Sequence, residues 1–551
     1  MANVKINRKL FEKEIGKIDE KMQDKISLMG TPVYSISDDE IEIEIYPNRP
    51  DLLSYQGFKR AFLAFLGKEK NVKEYKTNPP KKDYQVTIDS SVKNIRPYTA
   101  CAIVSDLKLD DNKIKEVIDI QEKLHLTLGR KRKKLAIGIY PLEKIKLPIT
   151  FKALDPEKIR FTPLGSEKEM SGLEILEKHP TGKEYASLLS GKPKFPIFID
   201  ADNKILSMPP IINSNLTGKV DGDTKEIFIE CSGFEFEILK KCLNILVVAL
   251  ADMGGKIHQM ELKYSKREVT PNLNQEKMKI SLENTNKLLG LNLKENEIGD
   301  LLEKMGHRYS NKTAEIPAWR TDIMHEVDLI EDIAIAYGYN NFEAEIPSIS
   351  TIGEEDKKEK IKKIISEIIA SLGFLEVSNY HLTNKEDQFS KMGLQDRQIK
   401  DFVEVIESKT EYNILRKDLS HYLMKIFSEN VDSEYPQKIY EIGKVFSYEN
   451  KKIEEKENIS IALSPNNFTE IKQVLDYLGK MLNLSFILKE PKLAPGWFID
   501  GRVAEISLDE ETIGFIGEIH PKILKNWRLK MPVALMEINL DTILNKLSSN
   551  N

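Results

Sequence analysis

The sequence predicts an α+β protein built from several domains. With 551 residues and 40% hydrophobic content, the chain is too long for one core and apolar enough for several. Residues 84–261 are rich in short β-type segments broken by Pro and Gly, whereas residues 361–484 alternate strands with amphipathic helices. Polar stretches at residues 71–83, 263–274 and 347–360 predict linkers between these regions.

Residues 1–83 are predicted to form an N-terminal α/β module. Strict alternation of apolar and polar residues from Ile41 to Ile45 indicates a half-buried strand. A loop at residues 47–50 follows, and then a helix with apolar positions from Leu52 to Phe65, which Gly67 closes. Residues 84–262 are predicted as a strand-rich domain that ends in an apolar helix around residues 243–250.

Two further domains are predicted in the second half of the chain. In residues 268–346, short helices at 281–289 and 295–305 precede an acidic helix, which is typical of a winged-helix-like domain. In residues 357–551, an amphipathic helix at 361–372 precedes strands that alternate with helices at 415–428 and 469–484. This alternation predicts a mixed α+β sheet domain.

Composition excludes several classes of protein. The only cysteines are Cys101, Cys231 and Cys242, and none forms a C-x-x-C pair, which argues against a zinc ribbon or a secreted disulfide scaffold. The N-terminus has no apolar signal core, and the longest apolar run, residues 245–251, is too short to span a bilayer. We therefore expect a cytoplasmic protein with no membrane partner.

Net charge and the absence of known motifs exclude further classes of function. The net charge of −5 means that any contact with nucleic acid must come from local basic patches, and no DNA partner is expected. The sequence has no P-loop, no H-E-x-x-H and no G-x-S-x-G, so it lacks those signatures of nucleotide, zinc-protease and hydrolase sites.

An acidic helix is the strongest candidate for a metal site. Apolar residues recur at spacings of three and four from Ile323 to Tyr337, and Asp328, Glu331 and Asp332 share one face of the predicted helix. Asp322 precedes them and can fold back toward them. Carboxylates without Cys or His favour Mg²⁺ over zinc. The alternative is an ordinary solvated face whose acids complement the helix dipole.

This segment resembles the metal-binding domain in the family of phenylalanyl-tRNA synthetase beta subunits. The matching pattern is P-x-x-R-x-D, then D-x-x-E-D, then A-Y-G-Y-N. Its residues here are Pro317, Arg320, Asp322, Asp328, Glu331, Asp332 and residues 336–340. The resemblance implies that the four acids bind magnesium beside a catalytic alpha chain.

Other motifs follow the order of the same family over nearly the whole chain. Residues 46–54 (Y-P-N-R-P-D-L-L-S) are similar to its N-terminal signature, residues 96–100 and 129–140 to its editing module, and residues 440–446 and 516–521 to its C-terminal catalytic-like module. The length resembles the archaeal or eukaryotic type, so we do not expect the C-terminal anticodon-binding domain of the longer bacterial chains.

The resemblance implies a role in phenylalanine–tRNA ligase. It implies two alpha and two beta chains, in which the alpha subunit binds ATP and phenylalanine and attaches phenylalanine to tRNA(Phe). The beta chain is expected to contribute scaffold, tRNA contacts, Mg²⁺ and hydrolytic editing of tyrosyl-tRNA(Phe). Its C-terminal domain is expected to be a class II synthetase-like antiparallel sheet without catalytic residues for aminoacylation, because Glu441 stands where such a sheet presents an ATP-binding arginine.

The editing residues and the tRNA contacts are also predicted from the resemblance. Asn213, Ser214 and Glu230 are the editing candidates, since ester hydrolysis needs a positioned water, and rejection of phenylalanine needs a polar partner for the tyrosine hydroxyl. The alternative is turn capping for Asn213 and Ser214 and a strand-edge charge for Glu230. Arg130 and Arg132 are the candidates for tRNA phosphate contact, although such a run is often a solvated turn.

Two rival functions remain open at this stage. One is a non-catalytic tRNA-binding adaptor whose editing-like domain is inert, and the other is a free-standing aminoacyl-tRNA deacylase. Co-purification separates them from the main hypothesis, because only a ligase subunit requires a distinct partner that carries the synthetic site.

Overall fold

A computed structural model describes residues 2–69, 73–348, 352–394 and 401–549. The chain divides into two compact units, residues 1–346 and residues 347–551. Both units mix helices with sheets, so the prediction of a mixed multidomain fold with a strand-rich part is confirmed. Among the described residues, no helix combines the length and apolar character needed to cross a membrane.

The first unit contains helices and strands in alternation. Its helices are α1 (Arg8–Glu14), α2 (Glu20–Leu28), α3 (Tyr55–Phe65), α4 (Asp111–Leu126), α5 (Gly172–Lys178), α6 (Pro180–Tyr185), α7 (Phe236–Asp252), α8 (Leu282–Leu289), α9 (Glu295–Lys304) and α10 (Glu326–Tyr337). Its strands are β1 (Ala2–Asn7), β2 (Val33–Ile36), β3 (Glu40–Ile45), β4 (Thr77–Asn78), β5 (Gln85–Ile88), β6 (Tyr98–Ser105), β7 (Leu135–Pro141), β8 (Ile149–Leu154), β9 (Arg160–Phe161), β10 (Met170–Ser171), β11 (Phe195–Ile199), β12 (Ile205–Met208), β13 (Ile212–Asn213), β14 (Ile227–Gly233), β15 (Lys256–Lys263), β16 (Arg267–Thr270), β17 (Glu276–Lys279), β18 (Arg308–Ser310) and β19 (Thr313–Ile316).

The N-terminal sheet follows the predicted alternation. Strand β3 lies between β1 and β2, and Ile41, Ile43 and Ile45 are buried while the intervening glutamates are not. The buried side chains join a core that includes Phe58 and Phe62 of α3. The period of two in the sequence therefore predicted both the strand and its buried face.

A large sheet forms the middle of the first unit. Its strand order is β13-β12-β11-β8-β5-β15-β6-β14-β7, with β4 and β16 also paired to β15. The expectation of a linker at residues 263–274 is wrong in part, because β16 lies there. Thr270 at its end is buried and accepts and donates hydrogen bonds with the backbone of Cys101. The polar composition of residues 263–274 did not reveal that part of this segment forms a strand paired with β15.

Strands β14 and β7 have two different faces. Ile229 and Cys231 of β14 and Ile137 of β7 pack on the core that contains α7. Glu230 lies directly opposite Gly138 in the antiparallel register, on the other face of the sheet. That second face carries Glu230, which lines the cavity described below.

The small sheet β17-β19-β18 packs with α8, α9 and α10 around one apolar core. The two predicted short helices are present as α8 and α9. The acidic helix α10 begins at Glu326, so Asp322 and Ile323 lie before it rather than in its first turn.

The second unit is built on an antiparallel sheet. Its helices are α11 (Lys357–Ser371), α12 (Ser420–Glu429), α13 (Phe468–Leu482), α14 (Pro521–Asn526) and α15 (Leu540–Ser549). Its strands are β20 (Leu375–Glu376), β21 (Leu382–Thr383), β22 (Ile414–Leu415), β23 (Gln437–Glu449), β24 (Lys452–Ser464), β25 (Ile487–Lys489), β26 (Phe498–Leu508), β27 (Glu511–Ile519) and β28 (Ala534–Asn539). The main sheet has the order β20-β23-β24-β28-β27-β26-β25, with only β20 joined in parallel.

One predicted helix in this unit begins later than expected. The pattern predicted a helix from residue 415, but α12 begins at Ser420. Residues 414–415 instead pair with β21. The Glu537 carboxylate of β28 accepts the backbone N–H groups of Leu419 and Ser420 at 2.9–3.1 Å, which stabilises the helix start there. A cap that comes from so distant a strand cannot be recognised in local sequence.

Candidate functional sites: a buried cavity and an acidic helix

A cavity of about 330 Å³ lies in the first unit beside strand β7, and Glu230 of β14 is among its lining residues. It is bounded by α4, β7, β12, β13 and β14. Its polar lining residues are Gln121, Glu122, His125, Arg132, Thr181, Ser207, Asn213, Lys219 and Glu230. Apolar side chains such as Ile137, Ile139 and Ile211 complete the wall. A concave volume with apolar walls and a few convergent polar groups is typical of a small-ligand site.

Glu230 is the central polar group of this cavity. Its side chain is buried, with 2% of the residue exposed. Tyr140 donates its hydroxyl to Oε1 at 3.4 Å, and Oε2 has no hydrogen-bond partner among the described residues. Burial raises the pKa of Glu230 to about 8, although the positive charge of Arg96 partly offsets that effect. At neutral pH the carboxyl group is therefore protonated and can both donate and accept a hydrogen bond.

Asn213 shares this polar cluster, and Ser214 does not. The Tyr140 hydroxyl lies 3.4 Å from Asn213 Oδ1 as well as from Glu230, so the tyrosine bridges both predicted residues. Ser214 is buried and accepts the Leu216 N–H at 3.3 Å in the following turn. The structure thus brings Asn213 and Glu230 to one cavity and gives Ser214 the turn-capping role that was its alternative.

Gly138 keeps this cluster open. A Cβ atom at this position would lie 2.2 Å from the Tyr140 hydroxyl and 2.6 Å from Glu230 Oε1. Neither distance is sterically possible, so only glycine allows these groups to meet. The motif at residues 129–140 contains Gly138 and Tyr140, but the motif alone does not indicate their roles. Their spacing of two along strand β7 places them on one face.

The basic run beside the cavity contains two different kinds of arginine. Arg132 donates to the carbonyls of Pro210 and Ile211 at 3.4 and 2.8 Å and to Glu122 at 2.9 Å, and its guanidinium lies 4.5 Å from the centre of the Tyr185 ring. It therefore holds the cavity wall together. Arg130 is exposed in a left-handed conformation with φ of 46°. Of the two arginines, only Arg130 has the exposure expected of a phosphate contact.

His125 positions α4 against β7. Its Nε2 accepts the Ile137 N–H at 2.8 Å, so Nδ1 carries the proton and faces Glu122 at 3.2 Å. Burial lowers the pKa of His125, which keeps the ring neutral in this role. The histidine is a structural contact of the cavity wall.

The four acids of the predicted metal site have different surroundings. Asp328 Oδ2 accepts the backbone N–H groups of Met324 and His325, both at 2.7 Å, and so caps α10. Glu331 is exposed. Asp328 therefore has the helix-terminus role that was the alternative to metal binding.

Asp322 and Asp332 share one arginine. Arg320 donates to both oxygens of Asp322 at 2.9 and 2.7 Å and to Asp332 Oδ2 at 2.7 Å. His307 Nε2 lies 2.7 Å from the same Asp332 oxygen. Burial by itself would raise the pKa of Asp332, but the Arg320 charge and the contact with His307 hold it well below its usual range. Asp332 is therefore ionised and paired.

The fit of these acids to Mg²⁺ is mixed. Carboxylate oxygens are the donors that Mg²⁺ prefers. Within the described ranges, however, no three His, Cys, Asp or Glu side chains are grouped so that they could hold a metal ion. The reason is that Arg320 neutralises two of the acids and backbone N–H groups hold a third. The magnesium site remains a prediction.

Comparison with known families agrees with the motifs. Residues 84–245 match the family model described as the B3/4 domain, residues 278–339 match the tRNA synthetase B5 domain, and residues 343–540 match the phenylalanyl tRNA synthetase beta chain CLM domain. The cavity lies in the first of these matched regions, and the acidic helix lies in the second.

Comparison with whole proteins covers most of the chain. A phenylalanine–tRNA ligase beta subunit from Thermococcus sibiricus is 41% identical over 503 residues, which are 90% of this chain and 89% of that protein. A beta subunit from Archaeoglobus fulgidus is 37% identical over 542 residues, 96% of each chain. A solved N-terminal fragment of the Pyrococcus horikoshii phenylalanyl-tRNA synthetase beta subunit is 38% identical, with a TM-score of 0.58, and covers 61% of this chain and 99% of the fragment.

Proposed function

Because this chain belongs to the family of phenylalanine–tRNA ligase beta subunits, we propose that it works with an alpha subunit that carries the synthetic site. The chain is a subunit of a ligase that attaches phenylalanine to tRNA. The finer proposal is an assembly of two alpha and two beta chains in the cytoplasm, in which the alpha chain binds ATP and phenylalanine. The adaptor and the free-standing deacylase are not favoured, because the relatives that cover nearly the whole chain are named as ligase subunits.

The interior of the second unit supports a non-synthetic role. Glu441 of β23 and Arg416 are both buried and form an ion pair at 2.5 Å. Asn379 donates its backbone and side-chain N–H groups to the same carboxylate at 3.1 and 2.6 Å. Glu441 stands in β23 at the position where the ATP-binding arginine was expected to be missing. Its carboxylate is occupied by internal hydrogen bonds and by the ion pair. We infer that this sheet is a scaffold that resembles class II synthetases and lacks their chemistry.

The cavity in the first unit supports hydrolytic editing. The single observation that carries this proposal is the buried Glu230 carboxyl, which is among the groups lining a cavity of about 330 Å³ and whose Oε2 has no hydrogen-bond partner among the described residues. A tyrosine side chain would supply a hydroxyl to pair with it, whereas phenylalanine would leave the carboxyl unpaired. A site built to bond a hydroxyl can reject the analogue that lacks it by about 10⁴–10⁵-fold.

The protonation state of Glu230 decides between its two possible roles. A carboxyl group with a pKa of about 8 is protonated at neutral pH, so it is a poor general base for activating water. A protonated carboxyl group can instead donate a hydrogen bond to a phenol hydroxyl or accept one from it. We therefore assign Glu230 to recognition of the tyrosine hydroxyl, with Tyr140 and Asn213 orienting it.

Deacylation of tyrosyl-tRNA(Phe) tests this assignment in the assembled ligase. Glu230→Met keeps the approximate size of the side chain and removes both of its hydrogen-bonding oxygens. We expect hydrolysis of tyrosyl-tRNA to slow by at least tenfold, because the buried tyrosine hydroxyl would lose its partner, while phenylalanylation is unchanged. The exposed Glu235→Met is the matched control. Wild-type hydrolysis by Glu230→Met would remove Glu230 from the site.

The magnesium site is proposed on donor chemistry and family membership. Asp322, Asp328, Glu331 and Asp332 would hold Mg²⁺ with further oxygens from the alpha chain or from water, and the ion would supply positive charge beside that chain. Thermal denaturation of the alpha–beta complex with and without Mg²⁺ tests it. We expect Mg²⁺ to raise the melting temperature and Glu331→Gln to reduce that gain. An equal gain in both proteins would contradict the assignment.

Binding of tRNA(Phe) is proposed to involve the exposed part of the basic run. Arg130 has the exposure needed for a phosphate contact, and Arg132 supports the cavity wall. Co-purification tests the wider assembly: a tagged chain should retain a distinct second protein that restores phenylalanine-dependent pyrophosphate exchange. Exchange by the isolated chain would contradict the proposal.

A further inference from the structure

A cluster of partly exposed aromatic rings lies in the first unit, where β6 begins, β14 ends and α7 starts. Its members are Tyr98, Phe234, Phe236 and Tyr264, and together they are called the aromatic platform. The centre of the Tyr98 ring lies 6.0 Å from that of Phe236 and 6.2 Å from that of Tyr264, and the last two are 5.7 Å apart. Tyr98 pairs with Gly233 across the sheet, and Phe234 is the next residue along the chain. Four rings from distant parts of the sequence therefore gather at one end of the sheet.

Two of these rings have more exposed surface than packing of the core requires. Tyr98 is 39% exposed and Phe234 is 46% exposed. The buried Arg96 guanidinium, whose hydrogen bonds go to β14, lies 5.5 Å from the centre of the Phe234 ring and supports it from the protein side. Tyr264 is also held, because its hydroxyl donates to the Thr99 carbonyl at 2.8 Å and accepts the Thr99 N–H at 2.7 Å. A group of exposed rings on a fixed base is typical of an interaction surface.

The platform adjoins the basic turn, residues 130–134, which connects α4 to β7. Gly233 packs closely on this turn, since an added Cβ would lie 2.4 Å from the Lys134 carbonyl oxygen. Lys134 Nζ lies 3.6 Å from Oε1 of Glu235, the residue after Phe234. Arg132 of the same turn lines the first cavity. The basic turn therefore contacts the first cavity through Arg132 and the aromatic segment through Lys134.

The basic turn also presents cations that have no counterion. Arg130, Lys131 and Lys133 are exposed, and none of the three forms an ion pair or a side-chain hydrogen bond with a described residue. Their backbone is ordered: Arg130 and Lys131 adopt left-handed conformations with φ of 46° and 55°, and the Lys133 N–H donates to the Arg130 carbonyl at 3.3 Å. The positive charges are therefore mounted on a defined turn beside the rings.

The acids of the aromatic segment are already paired with lysines. Glu235 pairs with Lys134 at 3.6 Å, and Glu237 pairs with Lys240 at 2.7 Å. On the neighbouring hairpin of β15 and β16, Glu261 pairs with Arg267 at 3.3 Å, and the exposed Lys263 and Lys266 offset Glu268. The charge that remains available at this surface is positive, so it favours a partner with negative groups.

The combination of rings and cations selects among partners. A nucleic-acid duplex would place phosphates on the cations, but its bases stay stacked inside and would not reach the rings. An apolar protein segment would cover the rings and desolvate the nearby cations without neutralising them. An unpaired nucleotide offers a phosphate to the cations and a flat base to an exposed ring.

We propose that the aromatic platform binds an unpaired nucleotide of RNA. The base stacks on Phe234, and the flanking phosphates lie against Arg130, Lys131 and Lys133. This proposal rests on the proposed binding of tRNA(Phe) and deepens it, because the 3′ end of a tRNA is single-stranded and carries the amino acid. It gives the chain a contact with RNA that is separate from the cavity proposed to take the amino-acid side chain.

Fluorescence titration with a single-stranded probe tests the platform in the assembled ligase. The probe is a short oligouridylate that carries one 2-aminopurine, a base whose fluorescence is quenched when it stacks on an aromatic ring. We expect saturable quenching. An RNA hairpin that holds 2-aminopurine within a base pair should bind at least fivefold more weakly, because the paired base cannot reach the ring.

Substitutions at Phe234 and Lys133 separate stacking from phosphate contact. Phe234→Leu keeps an apolar side chain and removes the ring, so the probe should bind at least fivefold more weakly with an unchanged salt slope, whereas Phe234→Tyr should bind as wild type. Lys133→Ala should reduce the slope of log affinity against log salt by about 0.7 and leave the quenching at saturation unchanged. The control is Tyr34→Leu, because Tyr34 is 68% exposed on β2, outside the platform.

Several results would overturn the proposal. One is the absence of saturable quenching with the wild-type ligase, and another is equal affinity of the wild-type and Phe234→Leu proteins. An unchanged salt slope in Lys133→Ala would also overturn it, and that result does not depend on how well Phe234→Leu folds. Binding that is lost in Glu230→Met and kept in Phe234→Leu would place the base in the first cavity instead.

The alpha chain is the competing occupant of this surface. Quenching by the full-length chain alone that disappears when the alpha chain is added would show that the alpha chain covers the platform, and would overturn the assignment to RNA. The editing proposal fails by a different result, which is wild-type hydrolysis of tyrosyl-tRNA by Glu230→Met. The two failures can therefore be told apart.

Discussion

The cavity and the acidic helix of the first unit each bury a carboxyl group, and the two groups have opposite pKa shifts. Burial raises the pKa of Glu230 to about 8; among the described residues no cation forms an ion pair with it, and Arg96 donates its hydrogen bonds to Ser232 instead. Burial acts in the same direction on Asp332, but Arg320 and His307 contact its oxygen and reverse the shift. Burial alone therefore does not determine whether a carboxyl group is charged. The charge depends on whether a cation or a hydrogen-bond donor contacts the group directly.

The two groups therefore affect stability at opposite ends of the pH scale. Glu230 has a folded pKa above its unfolded value, so its contribution is full below about pH 4 and is lost as pH rises toward 8. Asp332 has a folded pKa below its unfolded value, so its contribution is present above about pH 4 and is lost as pH falls below that value. Near pH 7 the stability contribution of Glu230 is already partly lost, whereas that of Asp332 is fully present.

The largest effect is expected from removing the cation that makes the two sites differ. Arg320→Met would leave the buried Asp332 and the half-buried Asp322 without the guanidinium that they share. We expect a loss of roughly 3–5 kcal/mol of stability, because an uncompensated buried charge remains. Urea denaturation followed by circular dichroism measures it.

A surface arginine provides the matched control for that variant. Arg308 forms an exposed ion pair with Glu74, and Arg308→Met should cost less than about 1 kcal/mol. Equal losses in the two variants would show that Arg320 is not needed to compensate the acids. The two carboxyl sites would then not differ in the way proposed here.

The sequence predicted the elements of these sites better than their contacts. The spacing of apolar residues predicted α10 and the shared face of Asp328 and Asp332. It could not predict that His307, 25 residues before Asp332, would reach the same oxygen. That contact depends on how α10 packs against α9, and packing is a property of the folded unit rather than of a local pattern.

The contacts between strands in the cavity were likewise not predictable from local sequence. Glu230 was identified from a resemblance, but Tyr140 lies 90 residues earlier and meets it only because β7 pairs with β14. Alternation within β7 places Gly138 and Tyr140 on one face, so that part was predictable. The register that sets Gly138 opposite Glu230 was not, since no local feature fixes which strand becomes the neighbour.

The next largest effect concerns the titration of Glu230. From pH 5 to pH 8 the wild-type chain should lose roughly 3 kcal/mol more stability than Glu230→Gln, because only the wild-type folded state holds that proton. The measurement is the free energy of unfolding of both proteins in urea at each pH. Parallel pH profiles would mean that Glu230 is ionised at neutral pH, and its assignment to phenol recognition would fail.

A smaller loss is expected from filling the space at Gly138. Gly138→Ala would press a methyl group against the Tyr140 hydroxyl and Glu230 Oε1. We expect a loss of about 1–3 kcal/mol, as overpacking of a tight interior usually costs, together with slower hydrolysis of tyrosyl-tRNA. The control is Gly222→Ala, where the added Cβ would have only one neighbour, at 3.9 Å. If Gly138→Ala retained both stability and hydrolysis, the polar cluster would not be the recognition site.

The smallest effect on stability is expected at Arg130, and it sharpens the distinction within the basic run. Arg130→Ala should change stability by less than about 0.5 kcal/mol, because the side chain is exposed. If the residue contacts a tRNA phosphate, the slope of log affinity against log salt should fall by about 1. Arg132→Ala should behave differently, since its loss removes the donor to the carbonyls of Pro210 and Ile211 and breaks the ion pair with Glu122. We expect it to destabilise the cavity wall and slow tyrosyl-tRNA hydrolysis with little change in the salt slope. Filter binding of tRNA(Phe) to the assembled ligase at several salt concentrations measures the slope, and identical slopes in wild type and Arg130→Ala would exclude this contact.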